Sequence, residues 1–179
     1  TEPKSVEAFR SSQSRIKSMA LIHERLYKSE NLSKIKACEY IKNLVEYLEG
    51  TYHLPSRDID ITTEIADLYL NLDVAIPCGL IINELVSNSM KYAFPQIHDG
   101  EIKVSLQTDN KENVVLTIAD NGIGIPLNFK TVNPQSLGLE LVKLMAKQLN
   151  GKMAIDGTSG TVISIVFPRA TMNSETEYH

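Results

Sequence analysis

Apolar residues recur at helical spacing in the first part of the chain and at alternate positions through much of the rest. Phe9, Ser12, Ile16, Met19, His23 and Leu26 follow a 3,4,3,4,3 spacing, which is the a/d seam of a helical bundle or coiled coil. Arg10, Arg15, Lys17 and Arg25 fall off that seam. The segment KSENLS carries turn and capping residues, and Ser33 is predicted to cap a second helix. The stripe of that helix reads Ile35, Cys38, Ile41, Val45 and Leu48, with Gly50 as its stop. Residues 5–49 are thus expected to be helical with one break.

The stretch TYHLPSRD is loop-like, and the grammar changes after it. Ile59, Ile61 and Thr63 alternate as in a strand. Residues 72–93 are apolar at helical spacing and Pro95 closes that helix. Ile102, Val104 and Leu106 alternate with polar positions, as do Val114, Leu116 and Ile118, which run into Asp120. A Gly/Pro/Asn-containing stretch spans 121–136, a helix 137–149 ends at Asn150 and Gly151, and two strands follow at about 152–156 and 161–167. The order β–α–β–β–loop–α–β–β implies an α+β sandwich of a mixed sheet and helices. Three parts are expected: a helical segment at 1–50, an α/β domain at 51–170 and a polar tail at 171–179.

Composition narrows the classes. Of 179 residues, 42% are hydrophobic and 22% charged, which excludes a wholly disordered chain. A formal net charge of −4 argues against a nucleic-acid binder. Cys38 and Cys78 cannot build a disulfide framework and read as packing residues, so a reducing, cytoplasmic setting is expected. No apolar run approaches the roughly 18 residues of a spanning helix, so no direct membrane contact is expected. The opening TEPKSVEAFR has no signal-peptide core and no initiator Met, so a fragment of a longer protein is expected.

Four constellations carry candidate chemistry. On a helix, Glu84, Asn88 and Lys91 lie at i, i+4 and i+7 and share a face, while Ile81, Leu85 and Ser89 lie on another stripe. A carboxylate, an amide oxygen and an ammonium together suit a polyphosphate with Mg²⁺; a solvated polar face with an ion pair is the plainer alternative. Asp120 closes a strand, and Gly122 and Gly124 follow it. A buried carboxylate there can accept from an exocyclic amine such as that of adenine, or the segment is simply a tight turn. Ser136, Leu137, Gly138 and Leu139 open a helix whose free N–H groups can meet an anion, a weak signal alone. Gly160 and Thr161 precede the last strand, as a hairpin pair or as a ligand contact.

Taken in order, these pieces resemble the ATP-binding (Bergerat-type) fold of the gyrase, Hsp90, histidine kinase and MutL superfamily over about residues 58–168. Asn88-x-x-Lys91-Tyr92 resembles the N box of sensor histidine kinases, Asp120 to Gly124 their G1 box, SLGL a reduced G2 box, and Gly160-Thr161 the last box. The stretch SQSRIKSMALIHERLYKSENLSKIKACEYIKNLVEYL resembles the second dimerisation helix and exit segment of the class that carries a paired-histidine H box on the preceding helix.

The resemblance implies ATP and Mg²⁺ as cofactors. It makes Asn88 a Mg²⁺ ligand and places Glu84 near the metal and γ-phosphate, with a general-base role open. Lys91 would contact phosphate and Tyr92 would lie against the nucleotide. Asp120 would read the adenine amine, while Gly122 and Gly124 would let the chain pass close to the base. Leu137, Gly138 and Leu139 would face the phosphates, and Thr161 would support Asp120 through a water or a direct hydrogen bond. The implied activity is transfer of the γ-phosphoryl group to a histidine before residue 1, then to the aspartate of a response-regulator receiver domain. The kinase would work as a homodimer through its helical bundle.

Two departures stand out. Asn133, Pro134 and Gln135 replace further G2 glycines, and the lid, about 126–136, is short, from which modest ATP affinity is expected. His23, in HERL, falls on the seam and reads as packing, with a phosphoacceptor as the alternative. Competing functions are an anti-sigma serine kinase and binding switch, a gyrase- or MutL-type ATPase clamp, and a non-catalytic ATP-binding scaffold.

Overall fold

The computed structural model describes residues 12, 16, 20, 24, 34–52, 58–95, 99–125 and 137–172. Ser12, Ile16, Ala20 and Glu24, each four residues from the next, are helical and exposed. The two seam positions among them, Ser12 and Ile16, therefore face solvent in the single chain, Ile16 at 66% exposure. Phe9, Met19, His23 and Leu26, together with the cap expected at Ser33, lie outside the described residues.

Strand β1 (Ile35–Lys36) leads directly into helix α1 (Ala37–Tyr52). The expected stripe needs correcting at both ends. Ile35 is in a strand, and Gly50 lies within the helix instead of stopping it. Gly50 points into open space, with nothing near a would-be Cβ, so the helix passes through it at only the propensity cost of a glycine, about 1 kcal/mol. The buried face is Ala37, Tyr40, Ile41, Leu44, Val45 and Leu48, a 3,1,3,1,3 spacing that forms one continuous helical stripe. Cys38 sits at its margin, half-buried.

After β2 (Asp58–Ile65) comes β3 (Tyr69–Leu70), which pairs antiparallel with β1 in the register Ile35↔Leu70 and Lys36↔Tyr69. The Ala37 N–H donates to the Leu68 carbonyl at 2.9 Å, so this small ladder anchors the first turn of α1. Helix α2 (Leu72–Asn88) is capped by Asn71, whose side-chain oxygen accepts the Val74 N–H at 3.0 Å. Its sequence is apolar nearly all round, and it is buried nearly all round, as a helix at the centre of a layer must be. At Ser89 the hydrogen-bonding pattern widens into a π-helical turn, Ser89–Ala93.

The main sheet is completed by β4 (Asp99–Thr108), β5 (Asn113–Asp120), β6 (Lys152–Asp156) and β7 (Thr161–Pro168). Its order is β2-β4-β5-β7-β6. Only β2 and β4, joined across α2, run parallel; a parallel pair needs such a long crossover, whereas the antiparallel pairs do not. Helix α3 (Leu137–Gln148) packs against α2, and the chain leaves α3 through Asn150 in the left-handed region, φ 53°. The expected α+β sandwich of mixed sheet and helices is the fold observed.

Alternation puts one face of the sheet into the core. Val104, Ile118 and Ile163 form one row across β4, β5 and β7, and Leu106, Leu116 and Ile165 form the next. The α1 stripe belongs to the same continuous core. The Tyr40 hydroxyl crosses from α1 to donate to the Ala75 carbonyl of α2 at 2.9 Å. Burial pushes the Tyr40 phenol above its ordinary range and, beside it, the Cys78 thiol up to about 12.

Candidate functional site

The site grows out of two strand ends and one helix end. On β5 the buried positions are Val114, Leu116, Ile118 and Asp120. A period of two therefore carries Asp120 onto the helix-facing side, at the last rung, where the ladder pairs it with Thr161 of β7. Asp120 is buried, at 7% exposure. A buried carboxylate must be hydrogen-bonded, and this one is. Oδ1 accepts the backbone N–H of Gly122 at 3.1 Å and that of Thr161 at 3.0 Å. Oδ2 accepts the Ser89 hydroxyl at 2.7 Å. Thr161 thus meets Asp120 directly, through its main chain.

Ser89 is the residue that sequence reasoning missed. It sits on the stripe of Ile81 and Leu85 and is buried like them, yet its hydroxyl serves the carboxylate. The one available signal was a hydroxyl at the end of an otherwise apolar stripe.

Gly122 and Gly124 are demanded by the protein itself. A Cβ on Gly122 would collide with the Ala93 carbonyl and side chain, and Ile123 N–H donates to that same carbonyl at 2.9 Å. Gly124 adopts φ +73°, and a Cβ there would strike the Gly157 carbonyl. Gly160 is also at φ +73°, with its Cβ position filled by the Asp120 carbonyl. The loop after β5 is therefore drawn tight between the end of the π turn and the β6–β7 connection, which fixes where the Asp120 carboxylate points.

Helix α2 delivers the other polar groups at graded depth. Glu84 is 2% exposed, Asn88 at the end of the α-helical part is half-buried, and Lys91 is half-buried. The π turn begins between Asn88 and Lys91, so Lys91 departs from the regular i+7 position that an unbroken α-helix would give it. Its ammonium lies 4.9 Å from the centroid of the Tyr52 ring, within cation–π range. Tyr92 is 57% exposed. Leu137, Gly138 and Leu139 form the first turn of α3, with Gly138 buried and Leu139 partly packed on the core. The lid at 126–136 lies outside the described residues.

The donor set fits a nucleotide. Oδ1 of Asp120 is filled by two N–H groups, while Oδ2 holds one donor and keeps acceptor capacity for an amine. Glu84 and Asn88 offer hard oxygen donors one turn apart. Mg²⁺ is commonly held by one or two such protein ligands together with substrate phosphates. Among the described residues no group of three or more His, Cys, Asp or Glu gathers as an all-protein metal cage.

Two family models match the chain: histidine kinase-, DNA gyrase B- and HSP90-like ATPase over residues 73–171, and histidine kinase over residues 1–52. The chain belongs to the histidine kinase-, gyrase- and HSP90-like ATPase family. The segment that matches the histidine kinase model stands directly ahead of the ATPase match. Blue-light-activated histidine kinase 2 of Erythrobacter litoralis is 23% identical over 166 residues, which are 89% of this chain and 47% of that protein. Sensor histidine kinase PdtaS of Mycobacterium tuberculosis is 28% identical over 152 residues, 83% of this chain and 30% of that protein. The chain thus spans about half or less of the length of these two curated relatives. The solved histidine kinase domain of the Erythrobacter litoralis EL346 blue-light-activated kinase superposes with a TM-score of 0.75 at 18% identity, over 91% of this chain and 78% of that one. That likeness carries the fold. No helix among the described residues is long and apolar enough to cross a membrane.

Proposed function

We propose that this chain is the kinase core of a two-component sensor, binding ATP with Mg²⁺ and transferring the γ-phosphoryl group to a histidine of a dimerisation helix, and from there to an aspartate of a response-regulator receiver domain. The observation that carries the reading is the held carboxylate of Asp120. Two backbone N–H groups and the Ser89 hydroxyl fix a buried acceptor at the end of β5. Such an acceptor suits the exocyclic amine of adenine.

The remaining roles follow from placement. Asn88 would ligate Mg²⁺, with Glu84 behind it, and the metal would neutralise phosphate charge. Lys91 would oppose the charge on the phosphate chain, with Tyr92, Gly138 and their neighbours lining the nucleotide. Attack by an imidazole nitrogen forms the N–P bond while the bond from the γ-phosphorus to its bridging oxygen breaks, and ADP leaves with the electron pair. The protein's contribution is positioning and charge stabilisation. The helical segment at 1–50 would dimerise with a second copy and the domain at 51–170 would carry the nucleotide.

Asp120→Asn should weaken Mg-ATP binding by about 1.5–3 kcal/mol, the size for a hydrogen bond to a charged group. Unchanged affinity by calorimetry would sink the adenine site. Phosphoryl transfer should be followed with γ-labelled ATP, on this chain and on a longer form that carries a histidine-bearing dimerisation helix ahead of it. Acid-labile label confined to the longer form is the expected result. Equal label on the short form would place an acceptor within this chain and make His23 the first candidate for it. No label on either, with ATP still bound, would favour a scaffold or switch.

A further inference from the structure

We propose that Tyr52, the last residue of α1, is a positioning residue for Lys91, holding its ammonium ready for the phosphate chain of the nucleotide; this rests on the ATP-binding reading above. Lys91 stands on a π turn, and its four-carbon stem is flexible and rich in rotamers. A ring face at 4.9 Å restrains it. The negative face of the aromatic ring takes one side of the ammonium. The group carries three N–H donors, so those turned away from the ring stay available to phosphate oxygens. Ordering the lysine before the ligand arrives lowers the entropy lost on binding.

The placement also joins two parts of the chain. Tyr52 closes the segment that matches the histidine kinase model at residues 1–52, whereas Lys91 lies in the ATPase match at 73–171. Tyr52 packs against the shared core, and the α1 stripe up to Leu48 is buried in it. The ring is therefore fixed by the same helix that the ladder β1–β3 anchors at its other end. The position of α1 then sets the position of a phosphate-binding cation.

The test is calorimetry with Mg-ATP and with adenosine. Tyr52→Leu should lower ATP affinity about two- to five-fold, the size of a partly exposed cation–π contact, and leave adenosine affinity unchanged. Tyr52→Phe should bind ATP like the unaltered chain, because the ring face and not the hydroxyl is the partner. In a Lys91→Met background, Tyr52→Leu should have no further effect. Equal losses for ATP and adenosine, full ATP affinity in Tyr52→Leu, or a persisting loss without Lys91 would each overturn the assignment. Should Tyr52→Leu fail to fold, fluorinated phenylalanines at position 52 keep the shape and drain the ring face. ATP affinity should then fall stepwise with fluorine count, and a flat response would refute the role. Failure of the unaltered chain to bind Mg-ATP, or indifference to Asp120→Asn, would remove the nucleotide reading itself, which separates that failure from this one.

Discussion

At the scale of single residues, the site is a problem of saturating one carboxylate. Asp120 is held by donors that lie 2, 31 and 41 residues away in sequence. Ser89→Ala should destabilise the nucleotide-free chain by about 1.5–3 kcal/mol, since one donor to a charged acceptor is lost. A urea midpoint unchanged from the parent would show that the two backbone N–H groups suffice. The same residue shows what was legible. Asp120 stood out because a carboxylate closing an apolar alternation is conspicuous. Ser89 did not, because its place on an apolar stripe predicts burial and says nothing about a partner 31 positions on. Gly122 and Gly124 were visible as glycines, but the contacts that require them, with Ala93 and Gly157, exist only once the loop is folded.

At the scale of elements, periodicity was enough for the long pieces. The alternations through 102–106 and 114–118 became β4 and β5, and the apolar stretch from 72 became α2. Two features escaped it. Strands β1 and β3 have two residues each, too short for any period to register, so by spacing alone Ile35 continues the helical stripe. The π turn at Ser89–Ala93 interrupts a pattern that α-helical counting carries on to Lys91. Tyr40 ties α1 to α2 through a buried hydroxyl, and Tyr40→Phe should cost about 0.5–1.5 kcal/mol. Thermal unfolding checks this, and a rise in stability would mean that the Ala75 carbonyl needs no such donor.

At the scale of the whole molecule, α1 shares one core with the sheet, α2 and α3. Its amides should therefore exchange with solvent together with those of α2, in one cooperative event. Hydrogen exchange that released residues 38–48 at a much lower free energy than α2 would show that α1 is only loosely docked. The ladder β1–β3 gives the same arrangement a mechanical meaning. From Ile35 onward α1 turns with the body of the domain, so a twist arriving along the chain from upstream meets a rigid coupling there. The ring at the far end of α1 would keep its place against Lys91 as it turned. A sensor built on this chain would then turn α1 and the nucleotide pocket together, as one rotor with its axle fixed at Ile35.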